Sequence, residues 1–175
     1  MGERGTIWLV GMMGSGKSTV GSALAERLGR RFVDTDAEIE RLEGRSVAEI
    51  FARDGEAAFR ALERAQIERW CDEPAVVALG GGAVAQPGVA ERLSKSGTVV
   101  YLRARPETLL ERVGEGAGRP LLAGLSKAER LARLGEILAE RAPAYEKASV
   151  VVDGDGLAAG EVVERVAARL GEVRE

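Results

Sequence analysis

A stretch near the start of the chain has the residue types and spacing of a phosphate-binding loop. Residues 11–18 read Gly-Met-Met-Gly-Ser-Gly-Lys-Ser and fill every specified position of the pattern G-x-x-x-x-G-K-S. Its glycines let backbone N–H groups converge on phosphate oxygens, and the N-terminus of a following helix adds positive potential. We expect Lys17 to reach the β- and γ-phosphates and Ser18 to ligate Mg²⁺. The loop therefore predicts nucleoside triphosphate binding, and the alternative is an ordinary glycine-rich turn.

Carboxylates directly follow the second predicted strand, Arg31–Val33. Asp34 and Asp36 should lie at the carboxyl edge of a parallel sheet, where the phosphate loop also lies. One carboxylate can hold Mg²⁺ or its waters, while the other accepts a proton from a substrate hydroxyl. The alternative for Asp36 is a helix N-cap. Because the chain has no histidine, a general base must be a carboxylate, a lysine or substrate-bound water.

The predicted strand Ala75–Leu79 ends in Gly80, Gly81 and Gly82 rather than in an aspartate. The metal-binding carboxylate of a Walker B strand is thus missing here, and Asp34 is the obvious replacement. Successive glycines expose backbone N–H groups and let a ligand come close. A plain loop is the alternative.

Three arginines carry open alternatives. Arg60 has Glu56 and Glu63 within one turn on its helix face, which is typical of a surface salt-bridge ladder. Arg141 falls inside an apolar helical stripe, so it either extends its charge to water or binds an anion. Arg119 lies within the glycine-rich segment 114–120, which is either a mobile lid or a surface loop.

Alternating apolar strands and helical patterns predict a parallel sheet covered by helices, a three-layer α/β fold. The predicted strands are Thr6–Val10, Arg31–Val33, Ala75–Leu79, Thr98–Leu102 and Val150–Val152. The predicted helices are Lys17–Leu28, Asp36–Leu42, Val47–Ala52, Glu56–Trp70, Val89–Leu93, Pro106–Val113, Lys127–Arg141 and Leu157–Leu170. The length of 175 residues suits a single domain, 1–175.

The bulk composition narrows the environment and the partners. A net charge of −3 gives no general attraction to nucleic acid or anionic membranes. No apolar run reaches the roughly 20 residues of a membrane span, and the N-terminus lacks the apolar core of a signal peptide. The single cysteine, Cys71, excludes an internal disulfide. We therefore expect a cytoplasmic protein.

Several motifs together resemble the shikimate kinases in order and spacing, over nearly the whole chain. Besides the phosphate loop they are Phe32–Asp36, Ile50-Phe51, Asp54–Glu56 with Phe59-Arg60, Leu79–Ala83, Arg119–Leu122 and Arg141–Tyr145. The resemblance implies a nucleoside-monophosphate-kinase-like P-loop fold whose five parallel strands have the order 2-3-1-4-5. It also implies ATP and Mg²⁺, a monomer, and phosphorylation of the shikimate 3-hydroxyl within aromatic amino acid biosynthesis.

The resemblance assigns roles residue by residue. It implies catalytic roles for Lys17, Asp36 and Arg119, with Ser18 and Asp34 holding Mg²⁺. It implies that ATP contacts Gly14, Ser15, Gly16, Lys17, Ser18, Thr19, Arg112, the adenine-stacking arginine, and Arg119. It implies that shikimate contacts Asp36, Arg60, Gly80, Gly81, Gly82 and Arg141. The shikimate-binding subregion would span about 35–63 and the lid about 114–126. Asp36 is then either a true base or a group that orients the hydroxyl.

Other functions compete with this interpretation. A gluconate-kinase-like enzyme also phosphorylates a carboxylated polyol, but the glycine run and the arginine pair favour shikimate. A nucleoside-monophosphate kinase would need an acceptor site that we do not recognise here. A catalytically dead sensing module would be expected to have lost Lys17, Asp34 or Arg119, and all are present.

Overall fold

The central sheet has five parallel strands in the order β2-β3-β1-β4-β5, which confirms the predicted topology. In the computed structural model, residues 5–115 and 119–172 are described. The strands are β1 Thr6–Val10, β2 Arg31–Asp34, β3 Ala75–Ala78, β4 Gly97–Arg103 and β5 Val150–Asp153. β1 lies at the centre, and β3 and β4 pair with it in parallel register.

Helices cover both faces of the sheet, so the central strands are buried on both sides. The helices are α1 Lys17–Leu28, α2 Thr35–Glu43, α3 Val47–Asp54, α4 Glu56–Trp70, α5 Val89–Ser96, α6 Pro106–Val113, α7 Lys127–Tyr145 and α8 Ala159–Glu172, with a 3₁₀ turn at Pro120–Leu122. One core joins α1 and α8 to the sheet, and the other joins α4, α5, α6 and α7 to it. Burial on both faces explains the nearly continuous apolar strand sequences.

A small third core packs α2, α3 and α4 together beside the sheet. Its buried members are Ile39, Ile50 and Phe59, and the ring of Phe51 packs against that of Phe59 in a tilted arrangement, with 4.9 Å between ring centroids. This cluster fixes the segment that carries the predicted acceptor-binding residues. Within the described residues, no helix is both long enough and apolar enough to cross a membrane.

The start of α2 corrects one predicted alternative. Asp34, and not Asp36, is the N-cap: its Oδ1 accepts hydrogen bonds from the backbone N–H groups of Asp36 and Ala37, at 3.0 and 3.2 Å. The helix begins at Thr35, one residue earlier than predicted. The Asp36 side chain is consequently not used as a cap and can turn toward the sheet edge.

Two other helix boundaries, the end of α7 and the start of α8, also differ from the prediction. α7 continues past Arg141 to Tyr145 with Pro143 inside its last turn, although proline usually ends a helix. α8 begins at Ala159 rather than at the predicted Leu157, because residues 154–157 form a turn closed by a hydrogen bond from Leu157 N–H to Gly154 O. The predicted capping box at Ser46 and Glu49 is present.

Candidate functional site

The phosphate loop connects the end of β1 to the start of α1, as its sequence predicts. Gly14 and Gly16 adopt positive φ values of 78° and 95°, a region that non-glycine residues rarely enter. Gly16 is the N-cap of α1, so the first free N–H groups of this helix face the loop. The loop thus offers an anion site built from backbone and a helix end.

Lys17 folds back over its own loop in this structure. Its Nζ donates hydrogen bonds to the carbonyl oxygens of Gly11 and Met12, at 2.7 and 2.9 Å. Burial lowers the pKa of this amine to about 8, with the nearby Asp36 acting in the opposite direction. A buried ammonium with only carbonyl partners gains strongly from an incoming phosphate.

Ser18 and Asp34 form the pair predicted to hold a metal. The Ser18 hydroxyl donates to Asp34 Oδ2 at 2.5 Å, while Asp34 Oδ1 is held by the α2 N-terminus. These hard oxygen donors suit Mg²⁺, which takes few protein ligands and completes its shell with phosphate oxygens and water. In the described part of the chain, no cluster of three or more Asp, Glu, His or Cys residues is arranged to hold a metal by itself.

Two adjoining cavities meet at the carboxyl edge of the sheet. The larger, about 510 Å³, follows the phosphate loop, and the smaller, about 290 Å³, lies over α2, α3 and α4. Every predicted site residue lines one or both of them. We call the larger one the nucleotide cavity; of the predicted residues, it alone includes Gly14, Ser15, Gly16, Lys17, Ser18, Thr19 and Arg112. We call the smaller one the acceptor cavity; it alone includes Arg60, Gly82 and Arg141. Both are lined by Asp34, Asp36, Gly80, Gly81 and Arg119.

The glycine run faces the charged side chains of the acceptor cavity. A Cβ at Gly80 would lie 2.7 Å from Asp36 Oδ1 and 2.8 Å from Glu63 Oε2. A Cβ at Gly81 would lie 2.9 Å from an Arg141 nitrogen, and one at Gly82 would lie 2.5 Å from an Arg60 nitrogen. The glycines therefore make room for the ionic side chains of the cavity as well as exposing backbone.

Glu63 is a site residue that sequence reasoning missed. Its side chain is fully buried, and its Oε1 accepts from Arg60 at 2.5 Å and from Gln86 Nε2 at 3.3 Å. Burial raises the pKa of its carboxyl group to about 7, and the Arg60 guanidinium opposes that rise. The surface-ladder alternative for Arg60 is wrong, because its main partner is buried. A signal was present: Glu63 lies on the buried stripe of α4 between Phe59 and Ile67.

Asp36 lies where the two cavities meet. Burial raises the pKa of its carboxyl group, the neighbouring Asp34 raises it further, and Lys17 opposes both. Its buried Oδ1 has no hydrogen-bond partner among the described residues. An orphaned carboxylate oxygen beside bare glycine backbone is an acceptor that a hydroxyl donor would satisfy.

Two further arginines reach the site: Arg119 from the segment between α6 and α7, and Arg141 from the C-terminal part of α7. Arg141 is buried, with 9% of its surface exposed, which excludes the alternative of extending its charge to water. Arg119 is exposed and lines both cavities. Leu122 is buried in the core between the sheet and α4, α5, α6 and α7, and it anchors the turn that follows Arg119. Residues 116–118 of the predicted lid lie outside the described residues.

Arg112 ties the nucleotide cavity together through backbone carbonyls. Its guanidinium donates to Ser15 O at 3.2 Å and to Gly154 O at 3.1 Å. Asp155 fixes the same turn by accepting from the Thr108 hydroxyl at 2.6 Å and from the Arg105 N–H at 3.0 Å. The phosphate loop, α6 and the turn before α8 are thereby held as one wall of the cavity. Adenine stacking on Arg112 stays a prediction.

Comparisons with known proteins agree on one family. A sequence profile of the shikimate kinase family matches residues 13–171. The shikimate kinase of Chlorobaculum parvum is 41% identical over 176 aligned residues, which cover 97% of this chain and 94% of that protein. The crystallised shikimate kinase of Acinetobacter baumannii, in complex with shikimate, superposes with a TM-score of 0.91 at 36% identity, covering 98% of this chain and 95% of that one.

A gluconokinase from Sinorhizobium meliloti is a more distant structural neighbour. It superposes with a TM-score of 0.62 at 25% identity, covering 97% of this chain and 93% of that one. The TM-score is higher with the shikimate kinase than with the gluconokinase, which favours the shikimate kinase resemblance over the gluconate-kinase-like alternative.

Proposed function

Because the chain belongs to the shikimate kinase family, we propose that its adjoining cavities transfer the γ-phosphoryl group of ATP to the 3-hydroxyl of shikimate. The products are ADP and shikimate 3-phosphate, an intermediate of aromatic amino acid biosynthesis. The observation that carries the proposal is the glycine run at the end of β3. It brings two arginines and two carboxylates into one cavity that opens onto the phosphate loop.

The acceptor cavity matches a small anion with several hydroxyls. Arg60 and Arg141 offer planar guanidinium groups to a carboxylate, which they can bind with paired hydrogen bonds. The orphaned Oδ1 of Asp36 accepts a hydrogen bond from the reacting hydroxyl. Because Asp36 lines both cavities, a hydroxyl bound to it faces the nucleotide.

The nucleotide cavity supplies alignment and positive charge. The loop N–H groups and Lys17 hold the phosphates, and Arg119 neutralises charge on the transferred group. A magnesium ion held by Ser18 and Asp34 would neutralise phosphate charge when bound. In the transfer, a new O–P bond forms to the shikimate hydroxyl and the bond to the β-phosphate oxygen breaks. Asp36 orients the hydroxyl and takes its proton.

The proposal extends to the metal, the assembly and the cellular location. We propose Mg²⁺ as the divalent ion that accompanies ATP. We also propose a monomer located in the cytoplasm, as expected from the sequence. Size-exclusion chromatography with light scattering would test the assembly, and a monomer mass of 18.5 kDa is expected.

Coupled ADP release tests the reaction and the acceptor together. Shikimate, gluconate, a nucleoside monophosphate and water alone are compared at saturating Mg-ATP. We expect release that depends on shikimate, within the roughly 1–100 s⁻¹ typical of kinases. Turnover with another acceptor only would overturn the carboxylate-site assignment. ATP binding without turnover on any acceptor would favour the sensing module.

A further inference from the structure

Tyr145 lies at the end of α7, one helical turn beyond Arg141 and on the same face of the helix. Its side chain is fully buried, and its ring stacks on Tyr101 at 4.9 Å between centroids with an interplanar angle of 27°. The ring is therefore locked in place by packing. The hydroxyl is the only polar group of this side chain, and it points toward the acceptor cavity.

The hydroxyl of Tyr145 joins two parts of that cavity. It donates its hydrogen bond to the carbonyl oxygen of Gly81. The Arg141 guanidinium lies near enough to oppose the rise that burial causes in the pKa of this phenol. A tyrosine hydroxyl has one donor and can accept in addition, so one group serves both neighbours.

Gly81 and Arg141 are themselves close together. A Cβ on Gly81 would lie 2.9 Å from an Arg141 nitrogen, so only a glycine leaves room for the guanidinium here. A shift of either one would change where the other can lie. The Tyr145 hydroxyl is hydrogen-bonded to the carbonyl of this same glycine.

We propose that Tyr145 is the positioning residue of the carboxylate-binding half of the acceptor cavity, holding the Gly81 peptide and the Arg141 guanidinium in fixed relation. It does not touch the substrate; it sets the place and direction of the groups that do. This inference rests on the proposed function, because it assigns the acceptor carboxylate to Arg141.

The variant Tyr145→Phe tests the role, because it removes the hydroxyl and keeps the stacked ring. We expect the KM for shikimate to rise about three- to tenfold, the loss of one ordinary hydrogen bond. We expect kcat and the KM for ATP to stay within about twofold, because the chemistry and the nucleotide cavity are unchanged. An unchanged KM for shikimate would overturn the proposal.

Tyr101→Phe is the matched control. It removes the hydroxyl of the other ring in the same stacked pair, on β4 and near Arg103 and Glu146 rather than the glycine run. We expect its KM for shikimate to equal that of the parent. An equal rise in both variants would mean that the effect is not specific to the Tyr145 hydroxyl, and it would overturn the proposal.

A second readout depends on the acceptor carboxylate itself. With the methyl ester of shikimate as acceptor, Arg141 has no carboxylate to hold, so Tyr145→Phe should lose little activity. The ratio of kcat/KM for shikimate to that for the ester should therefore fall in the variant. Equal losses with both acceptors would overturn the proposal.

The remaining measurement does not require Tyr145→Phe to fold. The chain has two tyrosines, so Tyr145 is the only one left in Tyr101→Phe. With tyrosine labelled by ¹³C at Cζ, shikimate should shift the single tyrosine NMR signal of that variant, and an unshifted signal would count against the proposal. Shikimate-dependent turnover by the parent protein tests the proposed function separately, so the two failures are distinguishable.

Discussion

The two cavities of this site are built in different ways. The nucleotide cavity takes its main contacts from one continuous segment, the phosphate loop and the first turn of α1. The acceptor cavity draws charged side chains from α2, α4 and α7 onto the glycine run after β3. The first uses backbone N–H groups, and the second uses side-chain charges whose places depend on the packing of several elements.

Because of this difference, different substitutions should impair the two cavities. Backbone N–H groups of the loop cannot be removed by a side-chain substitution, so the nucleotide cavity fails mainly through Lys17. In the acceptor cavity four charged groups lie against the glycine run, so added volume at one of these glycines displaces a charge. We expect the effects of substitutions to separate accordingly between catalytic turnover and acceptor affinity.

The largest effect is expected at Lys17. Lys17→Ala removes the charge that meets the transferred phosphate, and we expect kcat to fall by about 10³-fold, as for the loss of a transition-state donor. The fold should persist, because among the described residues the amine donates hydrogen bonds only to two carbonyl groups of its own loop, those of Gly11 and Met12. Coupled ADP release and thermal unfolding measure the two quantities. Activity close to that of the parent would refute the phosphate-loop assignment.

Arg141→Lys should weaken acceptor binding without affecting the nucleotide. Because lysine lacks the planar fork, we expect the KM for shikimate to rise by about 10- to 100-fold, the range for hydrogen bonds to charged groups. The KM for ATP should be unchanged in the same steady-state assay. Arg133→Lys is a matched control on α7, where the arginine pairs only with Glu136 at the surface. Equal KM values for the two variants would give Arg141 a structural role.

A single methyl group tests the contact between the glycine run and its charges. Gly82→Ala places a Cβ at 2.5 Å from an Arg60 nitrogen, so the guanidinium must move, and we expect about a tenfold loss in kcat/KM for shikimate. Gly135→Ala on α7 meets nothing within 4 Å and should raise the stability by about 0.4–1 kcal/mol. If both variants keep the parent's kinetics, the glycine run does not position Arg60.

The smallest effect concerns the protonation of Glu63. Its pKa is about 7 in the folded protein against an ordinary value of 4.5, so between these pH values the folded state binds more protons than the unfolded state. The free energy of unfolding should then fall as the pH rises from about 4.5 to 7, by at most about 1.4 kcal/mol per pH unit. The charged groups that act on Glu63 are Arg60, Asp36 and Arg141.

Glu63→Gln removes this titration and keeps the shape of the side chain. Urea unfolding at several pH values should show a shallower decline for the variant than for the parent over that range. Identical pH profiles would mean that Glu63 is ionised throughout and that Arg60 outweighs its burial.

Local signals predicted most of the fold from the sequence. Apolar strands, the glycine–lysine loop and the capping box at Ser46 are each encoded in a few neighbouring residues, so they could be recognised one at a time. The strand order itself came from the family resemblance. The errors fall at element ends: Asp34 replaced Asp36 as the cap of α2, and α7 ran through Pro143.

The site residues also differ in how far local sequence signals could identify them. Arg141 was noticed because a charge stood in an apolar stripe, and Glu63 was missed although the same test applied to α4. Neighbouring residues could not decide whether each of these charges is exposed or buried. A buried ion is tolerated only if residues distant in the sequence supply its partners.

The sequence by itself determined the phosphate loop, the parallel sheet and the residue types of the acceptor site, since each depends on neighbours along the chain. Only the tertiary structure decided that Glu63 is buried against Arg60, that Asp36 keeps an unpaired oxygen, and that the Tyr145 hydroxyl reaches Gly81. The physical reason is that burial, pKa and hydrogen-bond partners arise where separate elements pack together. For Glu63, Arg60 and Tyr145, those elements meet at the glycine run after β3.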